Sequence, residues 1–161
     1  MAILVKNGRI VLAESIAARP IHLAWGEGDG QWLNNVPPED VNATALQGEV
    51  ARRLATQVGY VLPDVTGNIE LPNGNRYRLS QTSTNHLYAR TQFDYTDGVG
   101  AAIRNIAIFV GTEVVGGLPP GQQYFTPAQV SNPGRMLHLE HFPPIFRGSN
   151  ERESFEVVIT F

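Results

Sequence analysis

Few residues in this chain could do chemistry, and their spacing decides most of what they could do. The tightest group is His138-Leu139-Glu140-His141, which has the composition of a metal-binding motif. On a strand, His138 and Glu140 point one way and His141 the other, so three ligands cannot converge there. The zincin arrangement needs its histidines four apart on a helix, which this is not. With His22 and His86, these histidines read as surface or interface residues. The loop Gly26-Glu27-Gly28-Asp29-Gly30-Gln31-Trp32 has the glycines of a phosphate cradle but lacks its lysine and its following helix, and its carboxylates would repel phosphate. It also lacks the ordered ligand spacing of an EF-hand. Trp25 and Trp32 bracket the loop; such a pair reads first as closing a small core or anchoring a protein interface, with a sugar-stacking platform as the runner-up function. No serine sits in a Gly-x-Ser-x-Gly elbow. The carboxylate pairs Glu39-Asp40 and Glu151/Glu153 lie in or beside connectors, and Asp94 and Asp97 flank a turn. No catalytic residue, cofactor-binding residue or metal ligand is nominated.

The bulk properties narrow the function classes further. The chain has 161 residues, enough for one core, so the expectation is a single domain over 1–161. Charged residues make up 17%, against roughly 25% for typical soluble domains. A surface poor in charge suits a protein that gives much of it to partners. A net charge of −3 provides no electrostatic footprint for nucleic acid. No cysteine is present, which removes disulfides, cysteine-based zinc sites and thiol nucleophiles together. No segment approaches the roughly 20 apolar residues of a membrane span, and the first residues do not read as an export signal, so neither membrane nor secretion is expected.

Most of the text reads as strands. Asn7-Gly8 between Ile3–Val5 and Arg9–Leu12 predicts a hairpin, since both turn residues must accept positive φ; the alternative is a short helix over 13–19, stopped by Pro20. Leu46, Val50, Leu54 and Val58 recur every four residues, which predicts a helix over about 43–58 with Thr44 as its N-cap and Gly59 as its stop. Its Arg52-Arg53 pair reads as a solvated or interface-facing charge patch. Pro72-Asn73-Gly74-Asn75 predicts a second hairpin within 68–79. Alternation predicts strands at 21–25, 86–95, 103–110, 136–142 and 155–161. The fold expected is mainly β: a sandwich or sheet with one packed helix at 43–58. The runs 115–123 and 143–154 read as connectors longer than ordinary hairpin loops.

The succession AESIAARPIHLAWGEGDGQW, ATALQGEVARR, HLYARTQFDYTDGVGAAIRNIAIFVGT and YFTPAQVSNPGRMLHLEHFPPIFRGSNERESFEVVITF resembles small tail and baseplate proteins of tailed bacteriophages and phage-derived tail particles. It is also similar to the N-terminal attachment regions of phage tail-collar fibre proteins. In those regions a first helix, a segment close to aWGxG, a helix close to LxxEvaR and a strand close to IRxIaiFxGT recur in this order. A fibre attachment region continues into a repetitive shaft, whereas this chain stops at Phe161, which favours a stand-alone component.

The resemblance implies a non-enzymatic structural subunit of a virion tail, made in the host bacterial cytoplasm and repeated around a tail whose symmetry is usually six-fold. Its partners would be other tail or baseplate proteins and copies of itself, without nucleic acid, membrane or cofactor. Arg104, Gly116, Gly117, Tyr124, Phe125 and Thr126 are the expected subunit contacts, and the connector after Val110 is expected to be ordered in the particle but mobile in the free protein. The alternative function is a small carbohydrate-binding module on Trp25 and Trp32. A tail-associated cell-wall hydrolase would need residues the sequence does not nominate.

Overall fold

A computed structural model describes residues 1–161. It contains one α-helix, α1 (Lys6–Ala17), and twelve strands. The first six are β1 (Ile21–Gly26), β2 (Glu49–Leu54), β3 (Gln57–Pro63), β4 (Ile69–Glu70), β5 (Arg76–Ser80) and β6 (His86–Phe93). Then follow β7 (Ala102–Val110), β8 (Glu113–Val114) and β9 (Tyr124–Phe125), a 3-10 turn (Pro127–Gln129), β10 (Val130–Asn132), β11 (Arg135–Phe146) and β12 (Glu153–Thr160). The protein is mainly β, as its alternating runs require.

The chain divides into two compact units. One comprises Pro20–Leu54 and Gln92–Glu153. Its principal sheet has the order β11-β7-β1-β2-β9, and β8 pairs with β10 in a separate ribbon. Strand β7 lies between β1 and β11 with antiparallel ladders on both sides, Ile21 opposite Val110 on one and Leu139 opposite Ala107 on the other. Residues 103–110 of β7 are all buried, which explains its near-continuous apolar run, for a strand covered on both faces has no reason to alternate. Ala24, Leu46, Ala107 and Phe109 form a core cluster with Met136 and Leu139 against it.

The other unit comprises Met1–Arg19, Ala55–Thr91 and Ser154–Phe161. Its sheet has the order β12-β6-β3-β5-β4. Val61, Ile69 and Tyr88 form its apolar cluster, with Tyr77 and Val158 packed on it. The hairpin at Pro72-Asn73-Gly74-Asn75 is present between β4 and β5. Gly74 takes φ of +82° and the Asn75 N–H donates to Asn73 Oδ1.

Two expected elements are overturned. Residues 43–58 are not a helix: they become turns, β2 and the start of β3. Gly48, in the middle of the four-residue pattern, sits at φ +62°, a left-handed conformation incompatible with a continuing helix. Strand β2 is instead secured by pairing to β1 and β9, so tertiary pairing overrides a helix preference of a few tenths of a kcal/mol per residue. At the N-terminus the hairpin around Asn7-Gly8 is replaced by α1. An isolated two-stranded hairpin is marginal, whereas Arg9, Leu12, Ala13, Glu14 and Ala17 are strong helix formers. Before Pro20 the last turn closes through Ala18 N–H to the Glu14 carbonyl and Arg19 N–H to that of Ile16. The alternative of a short N-terminal helix is therefore correct in kind, and the helix starts earlier than Ala13.

Candidate assembly interface

The expected contact residues cluster mainly at one edge of the five-stranded sheet that contains β7. Strand β9 pairs with β2 through Arg52 opposite Phe125 and Arg53 opposite Tyr124, and it has no partner strand on its other side. Phe125 is buried and meets His22 edge-on at 5.9 Å. Half-buried Tyr124 points its ring edge towards Trp25 and Phe93. These two aromatics anchor the segment from inside. Its outer surface is supplied by the residues on either side of them.

The segment 113–132 is a built lobe. Gln122 Nε2 donates to the Tyr124 carbonyl and to Gln129 Oε1, and Gln129 Oε1 accepts the Thr126 N–H at 3.0 Å. Gln129 N–H donates back to the Thr126 carbonyl, and Val115 N–H donates to the Gln129 carbonyl. The long connector therefore has its own internal structure. Gly117 and Gly121 adopt left-handed φ of +82° and +78°, with open space where a Cβ would stand. Gly116, Gly117 and Thr126 are exposed.

Arg104 is placed differently from the expectation. It is 9% exposed, and its guanidinium donates to the carbonyls of Trp32, Glu27 and Ala102. It pins the Gly-rich loop to β7 and offers little surface to a neighbour. The glycines of that loop also have a packing role: a Cβ at Gly28 would lie 2.7 Å from the Trp32 ring.

The two tryptophans do not form one platform. Trp25 is fully buried, stacked on Phe93 at 3.5 Å with 11° between planes, and the Arg147 guanidinium lies 5.3 Å from its ring centre. Gly98, at φ +61°, lets the backbone approach that indole. Trp32 is half-buried against His141, 4.6 Å between ring centres, at an open groove of about 480 Å³ lined also by Pro37, Pro38, Asp40 and Asn42. A platform that uses Trp25 has no exposed ring face.

Several structural residues were missed or misread in the sequence. Arg52 is 2% exposed, not solvated. Its Nε and Nη2 bind both Glu49 oxygens at 2.8 and 2.9 Å, and Nη1 donates to Thr112 Oγ1 and the Pro133 carbonyl. The guanidinium lies over Phe109. Arg53 bridges Asp97 at 2.7 Å and Asp94 at 3.0 Å. Burial, and then the Arg52 charge, press the pKa of neighbouring His22 from 6.5 down to about 4, so this imidazole is neutral at pH 7. The only local signal for this lattice was the strand-length spacing of the arginines between Gly48 and Ala55.

At β11, His138 and Glu140 share a side, 3.7 Å apart. His141 belongs to a strap formed by residues 37–39: its N–H donates to Glu39 Oε1 and its Nδ1 lies 3.0 Å from the Pro37 carbonyl. A carbonyl only accepts, so Nδ1 carries the hydrogen. The bond from the His141 backbone is the main reason the Glu39 carboxyl titrates below its ordinary range.

The whole chain, residues 1–161, matches the family model described as baseplate wedge 3 tail fiber network component. The chain belongs to that family. It is thus a phage tail and baseplate structural protein, as the ordered segments of its sequence suggested. A search of the curated proteins found no match. For a baseplate wedge component the natural location is the virion tail and the natural partners are other tail proteins. No helix is long and apolar enough to cross a membrane.

Proposed function

We propose that this baseplate wedge component is a non-enzymatic assembly part, joining other tail proteins and copies of itself through exposed lobes and sheet edges. The observation that carries the reading is the 113–132 lobe. Its inner aromatics are locked to the sheet while Gly116, Gly117 and Thr126 stand exposed on an internally bonded frame. Such a frame presents a contact surface with little ordering entropy left to lose on binding. The buried polar groups support the same reading, because Arg52, Arg53, Arg104 and Arg147 are engaged with carboxylates and carbonyls of the scaffold.

Co-assembly with the other wedge proteins of the same tail, followed by light scattering, tests this. The wild-type chain enters a complex of defined mass, while Gly116→Arg and Thr126→Arg variants enter it at least about tenfold more weakly, with thermal midpoints within a few degrees of wild type. A chain that remains a monomer with every tail partner contradicts the proposal.

A further inference from the structure

The buried arginines of this protein are engaged with its own fold, but several polar groups around one groove are not. The groove beside Trp32, about 480 Å³, falls within the roughly 300–1,000 Å³ typical of small-ligand sites. Its walls are already fixed in the free chain. Trp32 is tied by its N–H to the Asp29 carbonyl and by its own carbonyl to Arg104 Nε, and Gly28, lacking a Cβ, lets the backbone lie against the indole. His141, 4.6 Å from that ring, is held by Nδ1 donating to the Pro37 carbonyl. Beyond the strap, the Ala43 N–H donates to the Asp40 carbonyl, and Asn42 donates to Asp40 Oδ1 from both its backbone and its side chain. A site held this way has little left to order when a ligand binds.

The groups left over form a mixed set of donors and acceptors. The side chains of Thr44 and Gln47 line the groove, are exposed, and make no hydrogen bond within the chain. Asp40 Oδ2 and Asn42 Oδ1 also accept nothing, and His141, with its hydrogen on Nδ1, keeps Nε2 as an acceptor. This set selects among ligand classes. No lysine or arginine lines the groove, so an anion has nothing to pair with. A cation would meet a single carboxylate, one oxygen of which already takes both Asn42 donors, and would leave the amide and hydroxyl donors unused. A wholly apolar ligand would desolvate these polar groups without replacing their hydrogen bonds. A neutral sugar ring has an apolar face for the indole and hydroxyls that both donate and accept.

We infer that this groove binds a neutral saccharide, one ring against Trp32 with its hydroxyls on Asp40, Asn42, Gln47 and His141. A second depression of about 340 Å³ shares Asp40, Ala43 and Leu139 with the groove and extends along β11 to Met136, which gives room for more than one ring. Buried Trp25 has no part in the site. None of the lining residues belongs to the 113–132 lobe, so the inference stands apart from the assembly reading.

The full chain is tested on an array of neutral oligosaccharides of hexose and N-acetylhexosamine, with sialylated and sulfated members as the anionic arm, and hits are titrated by calorimetry. Saturable binding to a neutral member is expected, weakened at least about tenfold by Trp32→Ala. Gln47→Ala should weaken it severalfold with the thermal midpoint unchanged, because that side chain has no partner in the protein; a residue serving only the fold would move the midpoint instead. Binding that survives both substitutions, binding confined to anionic members, or binding to no member would each overturn the inference. A chain that binds no glycan yet co-assembles with tail proteins leaves the assembly proposal standing, and one that binds glycan yet never co-assembles overturns that proposal alone.

Discussion

The two long edge strands, β11 and β12, make an instructive pair. Around β11 the polypeptide closes its own hydrogen bonds: Glu39 takes the His141 amide, two prolines interrupt the strand, and buried arginines tie neighbouring strands and loops together. Strand β12 has no proline, and its carboxylates are met by arginines instead: Glu153 lies 3.8 Å from Arg147 and Glu156 3.7 Å from Arg90. Charge and proline are both devices that keep a sheet edge from pairing with another chain. The two strands show one small chain managing its edges in two ways.

The largest expected effect lies in the guarded unit. Arg52→Ala leaves Glu49, Thr112 and the Pro133 carbonyl without their donor, and breaking one side of such a buried pair should lower unfolding free energy by about 3–5 kcal/mol. Urea denaturation measures it, and a loss below about 1 kcal/mol would mean that β2 is not held as described.

Next comes pH. His22 has a folded pKa of about 4 against 6.5 unfolded, so between those values the unfolded chain binds more protons and stability falls as pH falls. From pH 7 to pH 5 this amounts to about 2 kcal/mol at one pKa unit per 1.36 kcal/mol, and less if water penetrates the site. A His22→Phe variant should flatten the dependence over that range. An equal slope in wild type and variant would assign it elsewhere.

The smaller effects bear directly on the edges. Glu39→Ala removes the acceptor of the His141 amide and should cost about 1 kcal/mol. The more telling readout is sedimentation, since unguarding β11 should produce new concentration-dependent association. Gln129→Ala removes the acceptor shared by the Thr126 N–H and the Gln122 side chain for about 0.5–1 kcal/mol and should loosen the lobe, seen as faster amide exchange at Thr126.

Much of this architecture was legible from local pattern, and the exceptions have physical causes. Strands such as β5, β6, β7 and β12 were readable because pairing and burial act on the same alternation the sequence displays. Asn73-Gly74 was readable as a turn because it lies between two runs that pair with each other. The identical dipeptide Asn7-Gly8 misled because no second strand exists there for a hairpin to join. The 43–58 pattern misled because four-residue periodicity was weighed above Gly48, whose left-handed φ divides the run.

At the candidate interface, exposed Gly116, Gly117 and Thr126 were legible as loop residues. Arg104 was not legible as buried, and Trp25 was readable as a core residue but not its partners, because those partners lie tens of residues away: Arg104 on the carbonyls of Glu27 and Trp32, Trp25 against Phe93 and Arg147. No local spacing encodes such contacts.

The central claim, that the β11 edge is closed by its own chain while the exposed face of the 113–132 lobe meets a neighbour, is tested most directly by amide hydrogen exchange on the free protein and on the assembled baseplate complex. The His141 amide should be protected in both. The amides of Gly116 and Gly117 should exchange rapidly in the free chain and at least roughly tenfold more slowly in the assembly. Unchanged exchange in the lobe on assembly, with new protection appearing at β11 instead, would contradict the account.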